Sequence, residues 1–158
     1  MIEVSEDYVK MLETGIDFIR RMGVKVVQLK RGYVELKAPL ELNLSHVGTM
    51  YAGALFSLAE VPGGALYLST FDVTRFYPIV KEMTIRYKKP VTSAATVKVG
   101  MSEEEIQRVT READETGKSE FVLTAELFDE AGTLVCESVG IYRLTGGLRC
   151  PSSGREKP

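Results

Sequence analysis

The chain has 158 residues, 44% hydrophobic and 27% charged, with 20 Lys and Arg against 22 Asp and Glu. That length can bury roughly two thirds of the unfolded surface and form one domain without a metal or disulfide staple. A net charge of −2 with scattered cations gives no footprint for nucleic acid, a single histidine excludes a histidine metal cage, and the two cysteines, Cys136 and Cys150, make no disulfide framework.

The N-terminus, MIEVSEDYVK, is acidic and amphipathic rather than basic and then apolar, so no secretory signal is expected and residence is expected to be cytoplasmic. Ser5 can cap a helix through YVKMLETGIDFIRRM, where Tyr8, Met11, Leu12, Ile16, Ile19 and Met22 recur near the helical period and Gly23 stops it. VKVVQLKR and YVELKAP read as two strands joined at Arg31-Gly32. A loop, LELNLSHVG, follows with Asn43 and His46.

From Val47 to Phe71 the only charge is Glu60. The length raises a membrane-span reading, but four glycines, Pro62 and several hydroxyl residues argue for a buried central helix, bent where Pro62 withholds a donor from the carbonyl of Leu58. IVKEMTIRYKKP alternates, with Met83, Ile85 and Tyr87 on one side and Thr84, Arg86 and Lys88 on the other. ATVKVGMS is another strand. SEEEIQRVTREADETG reads either as a helix with an acidic first turn or as an irregular excursion. SEFVLTAELFDEAG and TLVCESVGIYRLT are two further strands around a turn at Asp129–Gly132. Residues 1–145 are thus expected to form one domain, with an N-terminal helix over 1–23, a central helix over 47–71 and a flexible tail over 146–158, where most of a small basic cluster lies.

A helix this apolar is buried only if the sheet wraps around it, which predicts an α+β layer of one curved antiparallel sheet enclosing a central helix. An edge strand or the far side of the sheet would then take a second copy. Glu60 needs its own explanation, because a buried carboxylate is costly unless paired or neutralised. Thr49, Gly53, Phe56, Ser57, Gly63, Gly64 and Tyr67 share its helical face; four of these seven are Gly or Ser, and such small side chains let a ligand or another helix approach. If the helix begins near Met50, the amides of Tyr51, Ala52 and Gly53 have no intrahelical acceptor and can polarise an oxygen. They lie roughly 11–12 Å along the axis from Glu60, far for direct action by this carboxylate within one subunit.

The stretch VGTMYAGALFSLAE resembles the helix signature of hotdog-fold acyl-CoA thioesterases of the phenylacetate-pathway and 4-hydroxybenzoyl-CoA type. In those, a His-Gly-Gly or similar start leads into a helix of the form L-F-S-L-A-D/E. Ala52-Gly53 fall on the Gly-Gly, Leu55 to Ala59 match the helix, and Glu60 falls on the catalytic acid. Asn43, His46, Gly48-Thr49, Ala52-Gly53 and Glu60 together look still more like a branch of thioesterases with little described function. IRYKKPV is similar to the family's strand beside the substrate channel. The resemblance spans about residues 24 to 145 and is specific only across the helix signature. The family histidine is replaced by Tyr51 and the first glycine by Ala52, while the only histidine lies five residues before the helix-start position.

The resemblance implies a hotdog fold and an acyl-CoA thioesterase with no metal or redox cofactor. Its substrate would be an acyl-CoA or acyl-carrier thioester, it would form a dimer or tetramer, and neither nucleic acid nor membrane is expected as a partner. Glu60 would activate water and the Ala52 and Gly53 amides would hold the oxyanion. Asn43 would take the place of a loop residue that orients water or carbonyl. Substrate contacts would come from His46, Thr49, Tyr51 and Ser57, with Arg86 and Lys88 toward the coenzyme A phosphates. Bland roles stand beside these. Glu60 can be a structural pairing partner, Asn43 a turn former, His46 a loop residue, Ala52-Gly53 a packing feature, and Arg86, Lys88 and Lys89 a solvated strand face. The alternatives to hydrolysis are a non-catalytic acyl-binding module and a hydratase. The latter needs an Asp/His pair, and no Asp lies between residues 18 and 71.

Overall fold

The computed structural model describes residues 5–146. The N-terminal segment is two helices, α1 (Glu6–Thr14) and α2 (Asp17–Met22), rather than the single one expected. Gly15 caps α1 and Ile16 turns extended at φ −109°, ψ 117°. A glycine inside a helix costs about 1 kcal/mol relative to alanine, and Asp17 gains a new helix start, where it pairs with Arg20 and Arg21. Gly23 ends α2 in the left-handed conformation, φ 71°.

Strands β1 (Lys25–Lys30) and β2 (Tyr33–Ala38) form a hairpin through Gly32, φ 73°. The long helix α3 (Ala52–Thr70) follows, then β3 (Phe76–Tyr87) and β4 (Ala95–Gly100). Residues Glu103–Thr116 are a helix, α4, which resolves the open choice for this segment. Ser102 accepts from the Glu105 amide at its start, three glutamates occupy the first turn, and Gly117 ends it at φ 83°. Strands β5 (Lys118–Phe128) and β6 (Leu134–Gly146) complete the chain. β6 runs one residue into the expected tail, and the Gly146 amide bonds the Gly117 carbonyl at 2.8 Å. Residues 147–158, with Cys150 and most of the basic cluster, lie outside the described residues.

The six strands form one antiparallel sheet in the order β1-β2-β4-β5-β6-β3. Helix α3 packs against every strand of it. The strict alternation of buried and exposed residues from Ser119 to Leu127 shows why a single face carries the core. Leu58 and Leu66 of α3 join Leu36, Val97, Leu127 and Leu144 of the sheet in one fully buried cluster. Each such side chain contributes roughly 1.5–3 kcal/mol.

Pro62 sits inside α3, which runs on to Thr70. One residue later, Gly63 meets the ring of Tyr142 on β6: a Cβ there would lie 2.3 Å from a ring carbon, and one at Gly140 would lie 2.6 Å from the other side. The ring is clasped between two glycines and stacks on Phe121 with centroids 5.7 Å apart. This contact fixes the middle of α3, one turn beyond Glu60, to the sheet. β3 is an unpaired edge with exposed Ile79, Val80 and Tyr87 and a bulge between Val80 and Glu82.

Candidate active site at the start of the central helix

The loop before α3 is tied down by backbone bonds that its sequence does not show locally. The Ser45 amide bonds the Thr49 carbonyl at 2.7 Å, Gly48 turns at φ 82°, and the Met50 amide bonds the Val91 carbonyl at 2.8 Å. The helix therefore starts at Ala52, five residues after the expected boundary. The Tyr51 amide is consumed by the Asn43 carbonyl at 2.8 Å, and the amides of Ala54 and Leu55 bond the Tyr51 carbonyl. Ala52 and Gly53 keep amides with no acceptor among the described residues. Two free donors, not three, remain among the described residues.

A cleft of about 490 Å³ opens at this point. His46, Thr49, Tyr51, Ala52 and Lys88, all expected at the site, line it together with Tyr87, Lys89 and an apolar set of Val47, Met50, Leu55, Pro90 and Val91. The Tyr51 ring lies against Gly53, where a Cβ would approach it to 2.5 Å. Lys88 also pairs with Glu137 at 2.9 Å, and the Thr49 hydroxyl lies 3.2 Å from that of Ser45.

Other expected residues fall elsewhere. Asn43 is buried, and its side-chain amide donates to the carbonyls of Met22 at 2.8 Å and Pro39 at 2.7 Å, so its donors are spent holding the loop. The Ser57 hydroxyl donates to the Gly53 carbonyl at 2.8 Å, inside the helix. Arg86 pairs in register with Glu137 and points away from the face that carries Met83, Ile85 and Tyr87. Those three lie opposite Gly140, Ser138 and Cys136, residues of the buried side.

Glu60 is half-buried and outside the cleft, on the partly open stripe of α3 with Gly53, Ser57, Gly64 and Tyr67. Among the described residues it makes no hydrogen bond or ion pair. Burial raises its carboxyl above the ordinary carboxylate value. The nearby Tyr142 phenol is pushed up to about 12, first by burial and then by the charge of Glu60. Among the described residues its hydroxyl reaches only the Met83 sulfur, at 3.9 Å, a weak acceptor. Two tyrosines that the sequence does not single out stand here, Tyr87 at the cleft and Tyr142 beside Glu60. Tyr87 alternates with Met83 and Ile85 in its strand and Tyr142 with Leu144, but neither strand pattern says which helix residue the ring meets. Burial raises the Cys136 thiol to about 11, which keeps it protonated near neutral pH.

Residues 6–145 match the model of the YiiD_C family, described as "Putative thioesterase (yiiD_Cterm)". The chain belongs to this family. It is also similar to a solved structure from Pseudomonas aeruginosa, a protein of unknown function described as a probable thioesterase. Identity is 45% over 90% of this chain and 95% of that one, with a TM-score of 0.87. A structure from Shewanella oneidensis described as a "putative thioesterase" is 24% identical over 93% of this chain and 100% of its own, with a TM-score of 0.72. Another, from Haemophilus influenzae, is 14% identical over 94% and 96%, with a TM-score of 0.73. These two share the fold. The curved sheet around a central helix is accordingly the hotdog fold of thioesterase structures. Among curated proteins none matches the chain. No helix among the described residues is long and apolar enough to cross a membrane.

Proposed function

We propose that this protein hydrolyses acyl thioesters carried on coenzyme A or an acyl carrier. The observation that carries the reading is Glu60, a half-buried carboxylate of raised pKa with no partner among the described residues. Its burial costs stability and satisfies no other group, the usual mark of a functional carboxylate. The thioester carbonyl oxygen sits at the free Ala52 and Gly53 amides, which stabilise the negative charge as it develops. Glu60 takes a proton from water as the water oxygen bonds to the carbonyl carbon. Collapse of the tetrahedral intermediate breaks the carbon–sulfur bond, and the proton held on Glu60 passes to the departing thiolate. The products are a carboxylic acid and a free thiol.

Eight helical residues separate Ala52 from Glu60, about 12 Å of axis. One chain does not bring its carboxylate to its own amides, so the site is completed by Glu60 of a second copy. The unpaired edge β3 and the half-open stripe of α3 are the surfaces for that copy. Lys88 and Lys89 give the cleft a basic rim for the carrier's phosphates, with His46 as a further polar contact, above an apolar floor of Met50, Leu55 and Val91. Asn43 and Ser57 position the helix start rather than touch substrate.

The second reading, an acyl-binding module without turnover, is favoured by Tyr51 standing where the related enzymes carry histidine. A panel of acyl-CoA esters of different chain lengths separates the two. Thiol release with at least one ester is expected, whereas thermal stabilisation by the esters without any thiol release would select the binding module.

A further inference from the structure

Tyr87, the last residue of edge strand β3, donates its hydroxyl to the carbonyl of Ala52 at 3.0 Å. That carbonyl and the Gly53 amide belong to one peptide unit. In a planar trans peptide the C=O and N–H point in opposite directions, so a donor fixed on the oxygen also fixes where the N–H aims. The Ala52 carbonyl is placed to accept from Phe56 within the helix, and the phenol occupies its second lone pair. Donation to the oxygen further polarises the N–H on the far side of the same unit. The first turn of a helix is where its backbone is held least, and here the brace comes from 35 residues away in sequence. Tyr87 is 47% exposed and lines the cleft, so packing alone does not account for its placement.

We infer that Tyr87 is a positioning residue for the oxyanion site, fixing through the Ala52 carbonyl the direction of the Gly53 amide on the far side of that peptide unit. The inference rests on the thioesterase reading of the cleft. Burial raises the phenol above its ordinary value, which keeps it a donor across the working range of pH.

The test compares wild type with Tyr87→Phe, which retains the ring. Expected is a kcat lowered about tenfold, less than for direct loss of an oxyanion donor, with KM unchanged within about twofold. A second readout uses Glu60→Gln to keep a carbonyl-labelled acyl-CoA intact when bound. Its carbonyl stretch is expected at lower frequency than in water, and adding Tyr87→Phe should move it back toward the water value. An unchanged kcat, or a slower enzyme whose carbonyl band does not move, would overturn the inference. Turnover by wild type in the same assay leaves the thioesterase reading standing in either case. If wild type releases no thiol from any ester, that reading falls, and the carbonyl band still decides whether Tyr87 aims the amide.

Discussion

Replacing Glu60 by glutamine is expected to lower kcat for thioester hydrolysis by about 10³-fold while making the protein harder to unfold at about pH 8. The two effects have one cause. Glutamine keeps the shape of the side chain but cannot take the proton of water, and it removes a charge that burial disfavours. The sign of the stability effect follows from the raised pKa. Below the ordinary carboxylate value both folded and unfolded chains hold the proton, and Glu60 carries no penalty. As pH rises, the unfolded chain releases its proton first, so stability falls until the folded carboxyl has also ionised. The variant should therefore melt above wild type at alkaline pH, with the difference closing toward about pH 4. Thermal unfolding across pH, beside thiol release, checks both halves. A carboxylate serving as a structural ion-pair partner would give the opposite: lower stability at alkaline pH with activity lost through unfolding.

Ala52→Pro should lower kcat by about 10²-fold with little change in thermal stability. Proline is favoured at the first helical position, whose N–H has no intrahelical acceptor in any case. Tyr51 already has φ −61° and ψ 136°, the extended conformation that a following proline requires. The substitution thus deletes one of the two free amides without disturbing the helix. Mixing this variant with Glu60→Gln tests the second copy. If amides and carboxylate of one site come from different chains, each mixed dimer regains one intact site, and a random mixture should recover about a quarter of wild-type activity. Should each chain hold a whole site, mixing recovers nothing. Dissociation and reassembly followed by thiol release distinguishes the two outcomes.

Much of the architecture is legible where structure is local. Gly23 stops the N-terminal helical segment and Gly32 turns the first hairpin, each through a torsion within a few residues, whereas the Ser102–Glu105 cap settles for α4 a segment whose sequence reads two ways. The start of α3 is not local. It is set by Met50 bonding Val91 and Tyr51 bonding Asn43, so an apolar run beginning at Val47 overstates the helix. The same reason separates Asn43 and Arg86 from the cleft. Asn43 is drawn to the Met22 carbonyl across 21 residues, and the side on which Arg86 lies depends on β3 pairing with β6. Glu60 stands out because a lone charge in an apolar helix is visible in any window. Tyr87 and Tyr142 do not, since their meaning depends on a carbonyl at Ala52 and two glycines at 63 and 140.

The most direct measurement follows the side-chain carboxyl carbon of Glu60 by NMR through a pH titration, beside the acid limb of kcat/KM for a hydrolysed ester. Tyr142 is the titratable neighbour whose interaction with Glu60 the structure shows, and its phenol stays protonated through this range. A half-buried general base predicts one pKa, raised above the ordinary glutamate value, in both curves. A Glu60 that titrates at the ordinary value, or an acid limb that does not follow its carboxyl, would contradict it.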